Sequence, residues 1–314
     1  MRAYVIDGFG EAGSIREVPD PTAAEGQVLV RIRAAGVNPF DATVVSGAMK
    51  DRMEHRFPLI PGLDGAGVVE AIGDGVEGHA VGDEVFGAAG KPYFGEGTFA
   101  ERTAMSVGTI ARKPASIDFA QAASIPTAGI AALTVLDAVD ARAGETLLAI
   151  GAAGGVGSFL VQLAVDRGVR VVGVARAGNA DYVRGLGASD VIDAASGDPA
   201  EALRSASPDG VDAIADMSGD KELVTRLSEQ LRAGGRVASS AGGADEEALA
   251  PRGVKSENIF GRVDAERLSL IAQAIDEGRV RTPEVETLPL DRAGDAVSRV
   301  AERHTRGKLV LDIA

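Results

Sequence analysis

The chain has no cysteine and no tryptophan, three histidines, and few aromatic residues (4%) among its 314 positions. The missing cysteine excludes disulfides, a cysteine nucleophile and thiolate ligation of a metal. His55, His79 and His304 are too far apart for metal-ligand spacing, so they read as surface or loop residues and no metal site is expected. No uncharged apolar run is long enough to span a bilayer. Residues 1–7 lack the basic stretch and apolar core of a secretion signal. A soluble cytoplasmic protein without membrane association is therefore expected. Positive charge is also scarce: 32 Lys and Arg against 46 Asp and Glu leave a net charge of −14. Such a surface repels a phosphate backbone, which argues against a nucleic-acid partner. It does not forbid an anionic cofactor, because helix N-termini and single arginines act locally.

What the chain does have is glycine, 41 residues of it, clustered as tight turns require. Its length suits two domains. The first third reads as short strands, at residues 28–34, 65–73, 83–87 and 98–103, closely punctuated by Gly and Pro. That pattern suits a compact barrel-like β domain. Near residue 118 the character changes. Asp118 is placed to cap a helix over 119–124, and a longer helix is predicted over 129–139. Apolar strands at 146–150, 169–174, 190–192, 211–216, 236–239 and 254–260 then alternate with helices such as 156–167 and 221–233. This alternation predicts a parallel sheet covered by helices on both faces. Helices over 264–277 and 292–303 follow, and a last strand at 308–313 must pair with something, the β-rich first domain being the natural host.

The strongest local signal is the run GAAGGVG at 151–157, placed directly between an apolar strand and an apolar helix. Gly151 opens the turn. Gly154 and Gly155 let backbone N–H groups approach a pyrophosphate, Val156 starts the helix whose N-terminus favours the negative charge, and Gly157 allows close packing of helix on strand. An ordinary tight turn is the plainer alternative, but the strand before and the helix after favour a dinucleotide site. The second strand of the series ends in Ala175-Arg176 with no acid at its tip. An acid there binds the ribose hydroxyls of NAD, whereas an arginine suits the 2′-phosphate of NADP. Arg176 thus points to NADP(H), unless it is simply a solvated surface residue.

These features sit within a wider pattern: AGVNPFD at 35–41, FPLIPGLDGAGVV at 57–69, VGDEVFG at 81–87, GTFAE at 97–101, the glycine turn, and RGKLVL at 306–311. In this order they resemble the medium-chain dehydrogenase/reductase superfamily over essentially the whole chain. Zinc-dependent members of that superfamily hold zinc with a Cys in the first stretch and a His-Glu pair in the second. Here Asn38-Pro39 and Leu63-Asp64 stand in those places, so the resemblance is to the zinc-independent branch of quinone oxidoreductases and enone reductases. It implies an α/β protein: a GroES-like β domain of residues 1–118 and 264–314, and a Rossmann-type doubly wound parallel sheet domain of residues 119–263. It also implies a homodimer, which the strand near 254–260 could build by pairing with its symmetry mate.

The same resemblance implies an NADPH-dependent reductase that delivers hydride to a small quinone or to the C=C bond of an α,β-unsaturated carbonyl. A pathway-specific enoyl reductase and a non-catalytic NADPH-binding or sensor protein remain as alternatives. By resemblance, Asn38 contacts the nicotinamide ribose or the substrate, and Asp41 supports its turn or satisfies local N–H groups. Thr127 lies near the nicotinamide, unless it caps a helix. Ser218 and Ser240-Ala241-Gly242 follow the fourth and fifth strands, where loops face a dinucleotide. Phe260 approaches the carboxamide or packs in the core, and Lys308 is a cofactor contact or solvated. The Tyr or Lys often found two residues after the Asp is replaced by Thr43. Tyr93 is then the candidate for a substrate-side hydroxyl or aromatic wall, with an exposed loop tyrosine as the plainer reading and water as the other proton source.

Overall fold

The computed structural model describes residues 1–195, 197–302 and 305–313, so His304 lies outside the described residues. The chain folds into two compact units. One comprises Met1–Thr127, Val263–Gly278 and Thr282–Ala314, and the other Ala128–Arg262 and Arg279–Arg281.

In the first unit, β1 (Arg2–Val5) and β2 (Ser14–Glu17) form an antiparallel ribbon. The long β3 (Gln27–Val37) points Val28, Val30 and Ile32 into a common core, as the alternation of a half-buried strand requires. Helix α1 (Pro39–Val45) follows at once: Pro39 fits its first position, and Asn38 and Asp41 form a reciprocal capping box. Next come β4 (His55–Ile60), β5 (Asp64–Ile72), β6 (Glu84–Ala88), β7 (Phe94–Glu96), β8 (Arg102–Ser106) and β9 (Ile110–Arg112). Strand β3 pairs antiparallel with β5 and β8, β5 with β6, and β6 with β9. Asp118 caps the short α2 (Phe119–Ala123) by accepting from Gln121 N–H at 2.7 Å. Because α2 packs on β3 and β5, the compact unit extends to Thr127 rather than stopping at 118.

Helix α3 (Pro126–Ala138) leads into the second unit, which contains β10 (Thr146–Ile150), α4 (Gly155–Asp166), β11 (Arg170–Ala175), α5 (Ala180–Gly185), β12 (Asp190–Asp193), α6 (Pro199–Ala206), β13 (Val211–Asp216), α7 (Lys221–Leu227), β14 (Leu231–Ser239), α8 (Glu246–Leu249) and β15 (Lys255–Asn258). The six strands are all parallel, in the order β12-β11-β10-β13-β14-β15. That is the doubly wound arrangement, with its switch point between β10 and β13, where ligands bind outside the carboxyl ends of strands. One boundary differs from expectation. The helix predicted to run to residue 233 ends at Leu227, and residues 231–235 are already strand. Gly234 and Gly235 are poor helix formers, and the segment bulges between the Val211–Leu231 and Ala213–Arg236 pairs of β13 and β14.

Asp264 caps α9 (Ala265–Asp276) through Arg267 N–H at 2.8 Å, after which β16 (Val285–Pro289), α10 (Ala293–Ala301) and β17 (Lys308–Asp312) return the chain to the first unit. Strand β17 lies between β3, antiparallel, and β16, parallel.

Candidate active site

A buried polar cluster occupies the first unit where β3, β5 and β17 meet the start of α1. Asn38, Asp41, Asp64 and Lys308 are all at most 5% exposed. The Asn38 amide is held at both ends: Nδ2 donates to Asp64 Oδ2 at 3.0 Å, and Oδ1 accepts from Lys308 Nζ at 2.6 Å. Lys308 also donates to the Val37 carbonyl at 2.9 Å. It is thus a buried structural cation, and the solvated alternative is excluded. Asp41 accepts from Asn38 N–H at 2.7 Å, which fixes the turn. Thr127 does not cap a helix. It sits in the first turn of α3 with its N–H on Asp64 Oδ2 at 3.0 Å and its hydroxyl donating to Asp64 Oδ1 at 2.7 Å. Partly exposed, Thr127 has spent its one hydroxyl proton on Asp64 and so presents lone pairs outward.

Two carboxylates surround one ammonium here. Burial pushes the Asp41 carboxyl up to about 7, and the neighbouring charge of Asp64 adds to this. Burial also raises Asp64, although Lys308, Thr127 and Asn38 oppose it, and burial lowers Lys308. Asp64 is the hub of the cluster and was missed as a site residue in the sequence. Its signal was a charged residue inside the Gly-rich apolar run 62–69.

Tyr93 has other partners. The Arg56 guanidinium carbon stacks 3.4 Å over its ring, burial and the neighbouring Glu96 raise its hydroxyl pKa, and Glu96 pairs with Lys91 at 2.8 Å. The ring is half-buried rather than an exposed loop side chain. His55 is not a surface residue either. It stands in β4 with Nδ1 on the Met53 carbonyl at 2.9 Å, its ring between Phe9 and Phe94. His79 is a half-buried loop residue whose pKa burial lowers. Among the described residues no group of three or more His, Asp or Glu is arranged to hold a metal ion.

In the second unit the turn between β10 and α4 has the features of a pyrophosphate seat. Gly151 has φ +82°, a value that disfavours other residues. A Cβ on Gly157 would lie 2.3 Å from Gly151 O, so only glycine lets α4 approach the strand this closely. Gly154 is the N-cap and supplies no side-chain cap, and a Cβ there would meet nothing closer than 3.6 Å. The first N–H groups of α4, as at any helix N-terminus, lack acceptors one turn earlier in the helix. The residues present fit a dinucleotide pyrophosphate.

The loops after β13 and β14 are held by another residue that sequence reading passed over. Asp216, fully buried, accepts from Ser218 N–H (2.8 Å), Ser218 Oγ (2.6 Å), Gly219 N–H (3.1 Å) and Ser239 Oγ (2.6 Å). Ser239 Oγ in turn accepts from the N–H groups of Ala241 and Gly243 at 3.0 and 2.9 Å. Ser218 and the segment Ser240, Ala241 and Gly242 are therefore brought together at the carboxyl ends of adjacent strands. Arg176 is exposed at the tip of β11. Phe260 is not in the core: it is 81% exposed, just beyond β15.

Comparison with known proteins agrees with both units. Residues 24–115 match the alcohol dehydrogenase GroES-like domain, and residues 186–311 match a domain described as zinc-binding dehydrogenase. An Arabidopsis thaliana chloroplastic NADPH-dependent alkenal/one oxidoreductase is 32% identical over 99% of this chain and 79% of its own length. A solved NAD-dependent alcohol dehydrogenase superposes with a TM-score of 0.90 at 27% identity, covering all of both chains. A quinone oxidoreductase from Coxiella burnetii superposes with a TM-score of 0.89 at 28% identity, over 100% of this chain and 99% of that one. These relatives make the chain an oxidoreductase-like protein of a nicotinamide-using group. With its GroES-like unit, its doubly wound unit and these relatives, the chain belongs to the medium-chain dehydrogenase/reductase superfamily, in the quinone and enone reductase branch.

Proposed function

We propose that the protein uses NADPH to reduce a quinone or the C=C bond of an α,β-unsaturated carbonyl, without zinc. The observation that carries this reading is the buried Asn38–Asp64–Lys308 cluster. Where zinc-dependent relatives place a cysteine and a His-Glu pair, this chain has an amide, an apolar Leu63 and a carboxylate. A lysine ammonium already supplies the local positive charge. That donor set does not suit zinc, which is held by thiolate, imidazole and carboxylate. Without a Lewis acid, the substrate must already be electrophilic, as quinones and enones are.

When bound, the nicotinamide supplies the hydride. The chain's own contribution is to place and hold. Gly151, Gly154, Gly155, Val156 and Gly157 seat the pyrophosphate, and Ser218, Ser240, Ala241 and Gly242 offer strand-end contacts. Arg176 pairs with the 2′-phosphate through its planar fork. Within the first unit, Asn38, fixed by Lys308 and Asp64, and Thr127, fixed by Asp64, are preorganised polar groups for orienting a ligand. Phe260 offers an exposed apolar contact. With the Tyr93 hydroxyl pKa raised by burial and by the nearby Glu96, water is the proton source. A homodimer belongs to the same reading, supported by β15 at the sheet edge with the exposed Phe260 beside it.

Transfer of label decides the chemistry. NADPH deuterated at nicotinamide C4 should place deuterium on the β-carbon of a short enone, with an unlabelled α-proton drawn from solvent. Turnover of quinones alone, with no label in any enone product, would restrict the reading to quinones. Reduction of the carbonyl to an allylic alcohol would contradict it.

A further inference from the structure

The tip of β11 carries an exposed cation, but the neighbouring strand brings a carboxylate under the same peptide. Ala175, the last residue of β11, is in register with Asp193, the last residue of β12. The Asp193 carboxylate accepts from Ala177 N–H at 3.2 Å and from Ala195 N–H at 3.0 Å. The Arg176–Ala177 peptide N–H, one of the donors nearest Arg176, is thus already committed to a resident anion, and that anion is half-buried beside the tip. The other acid nearby, Asp181 in the first turn of α5, is exposed and pairs with Arg184 at 3.1 Å.

We propose that Asp193 is a specificity-determining residue that opposes Arg176, restraining the preference for a 2′-phosphorylated nucleotide. The inference rests on reading this unit as a dinucleotide site. A 2′-phosphate brought to Arg176 meets attraction from the guanidinium and repulsion from the Asp193 carboxylate, whereas a ribose with a free 2′-hydroxyl feels neither as a full charge. The carboxylate also withholds a backbone N–H that a phosphate oxygen would otherwise accept from. Both effects act on the 2′-phosphate and leave the rest of the nucleotide alone.

The substitution Asp193→Asn separates charge from architecture. The amide oxygen of Asn can still accept from Ala177 and Ala195, while one negative charge disappears. Calorimetric titration of the full chain with adenosine 2′,5′-bisphosphate and with adenosine 5′-monophosphate reads the result, because these probes differ only in the 2′-phosphate. The variant should bind the bisphosphate roughly fivefold or more tightly than the wild type, the gain shrinking at high salt, with the monophosphate unchanged. Arg176→Ala should move the bisphosphate the opposite way. In turnover, the ratio of kcat/KM for NADPH to that for NADH should rise in Asp193→Asn through the NADPH value alone. Equal changes for both probes would show a structural role and overturn the proposal, as would weaker or unchanged bisphosphate binding. If neither wild type nor variants bound either probe, the dinucleotide reading itself would fail, and the proposal with it.

Discussion

A 2′-phosphate carries close to two negative charges where NADH has a hydroxyl, and Arg176 is the exposed cation at the strand tip that can respond to the difference. Arg176→Ala should raise KM for NADPH by about tenfold, the worth of one charge-assisted contact, and leave KM for NADH within about twofold. Equal losses for both cofactors would remove Arg176 from recognition of the 2′-phosphate. Tyr93 gives the opposite expectation. Its ring lies under Arg56 and burial and Glu96 raise its hydroxyl pKa, which makes it a poorer acid, so Tyr93→Phe should leave kcat with an enone unchanged in steady-state assays. A large fall would make it the proton donor. Asp41 predicts a pH effect on stability. Folded, it keeps its proton up to about 7 because it is buried, against an ordinary carboxyl value of 3.8. Between those values the folded chain binds more protons than the unfolded one, so stability falls as pH rises toward about 7 and levels off above. Asp41→Asn removes that loss, and its Tm relative to wild type should climb between about pH 5 and about pH 8. A constant difference would mean that Asp41 is ionised throughout. Which residues would matter was partly readable in the sequence: Asn38, Asp41 and Arg176 lie in recognisable stretches. Asp64 and Asp216 were not singled out, because their place depends on which N–H and O–H groups converge on them, for Asp64 from Asn38 and Thr127, both distant in sequence, and for Asp216 from its own turn and from Ser239 on the next strand.

At the level of elements, the unit β10–turn–α4 was legible because its signals are local: a fully buried apolar strand, a glycine turn and an apolar helix in succession. Its weak point is equally clear. Gly157→Ala would push a methyl into the Gly151 carbonyl, a backbone atom with no freedom to yield, and should cost about 2 kcal/mol in urea unfolding as well as weaken nucleotide binding. Strand β17 supplies the second test. Lys308→Met removes the only ammonium from a cluster of two buried carboxylates and should destabilise the fold by about 3 kcal/mol. The elements the sequence left unmarked are those whose pattern is weak in isolation. Strand β16 is short, mostly exposed and ends in proline, and of residues 231–235 only Leu231 pairs with β13 before a bulge that ends at Arg236.

Across the whole molecule, the first unit is assembled from both ends of the chain, with β17 inserted between β16 and β3. The apolar run at 308–313 announced a strand that needed a host, but only the fold supplies the register, Leu311 opposite Ala35. The acidic surface, with its net charge of −14, confines favourable anion binding to local features such as the N-terminus of α4 and Arg176. The central claim concerns chemistry done without a metal. It is tested most directly by following NADPH oxidation at 340 nm in the presence of EDTA, with a benzoquinone, a naphthoquinone and a short enone as acceptors. Turnover that is unaffected by EDTA and by added zinc is the predicted result. Turnover abolished by EDTA and restored by zinc, or NADPH binding without turnover of any acceptor, would contradict it.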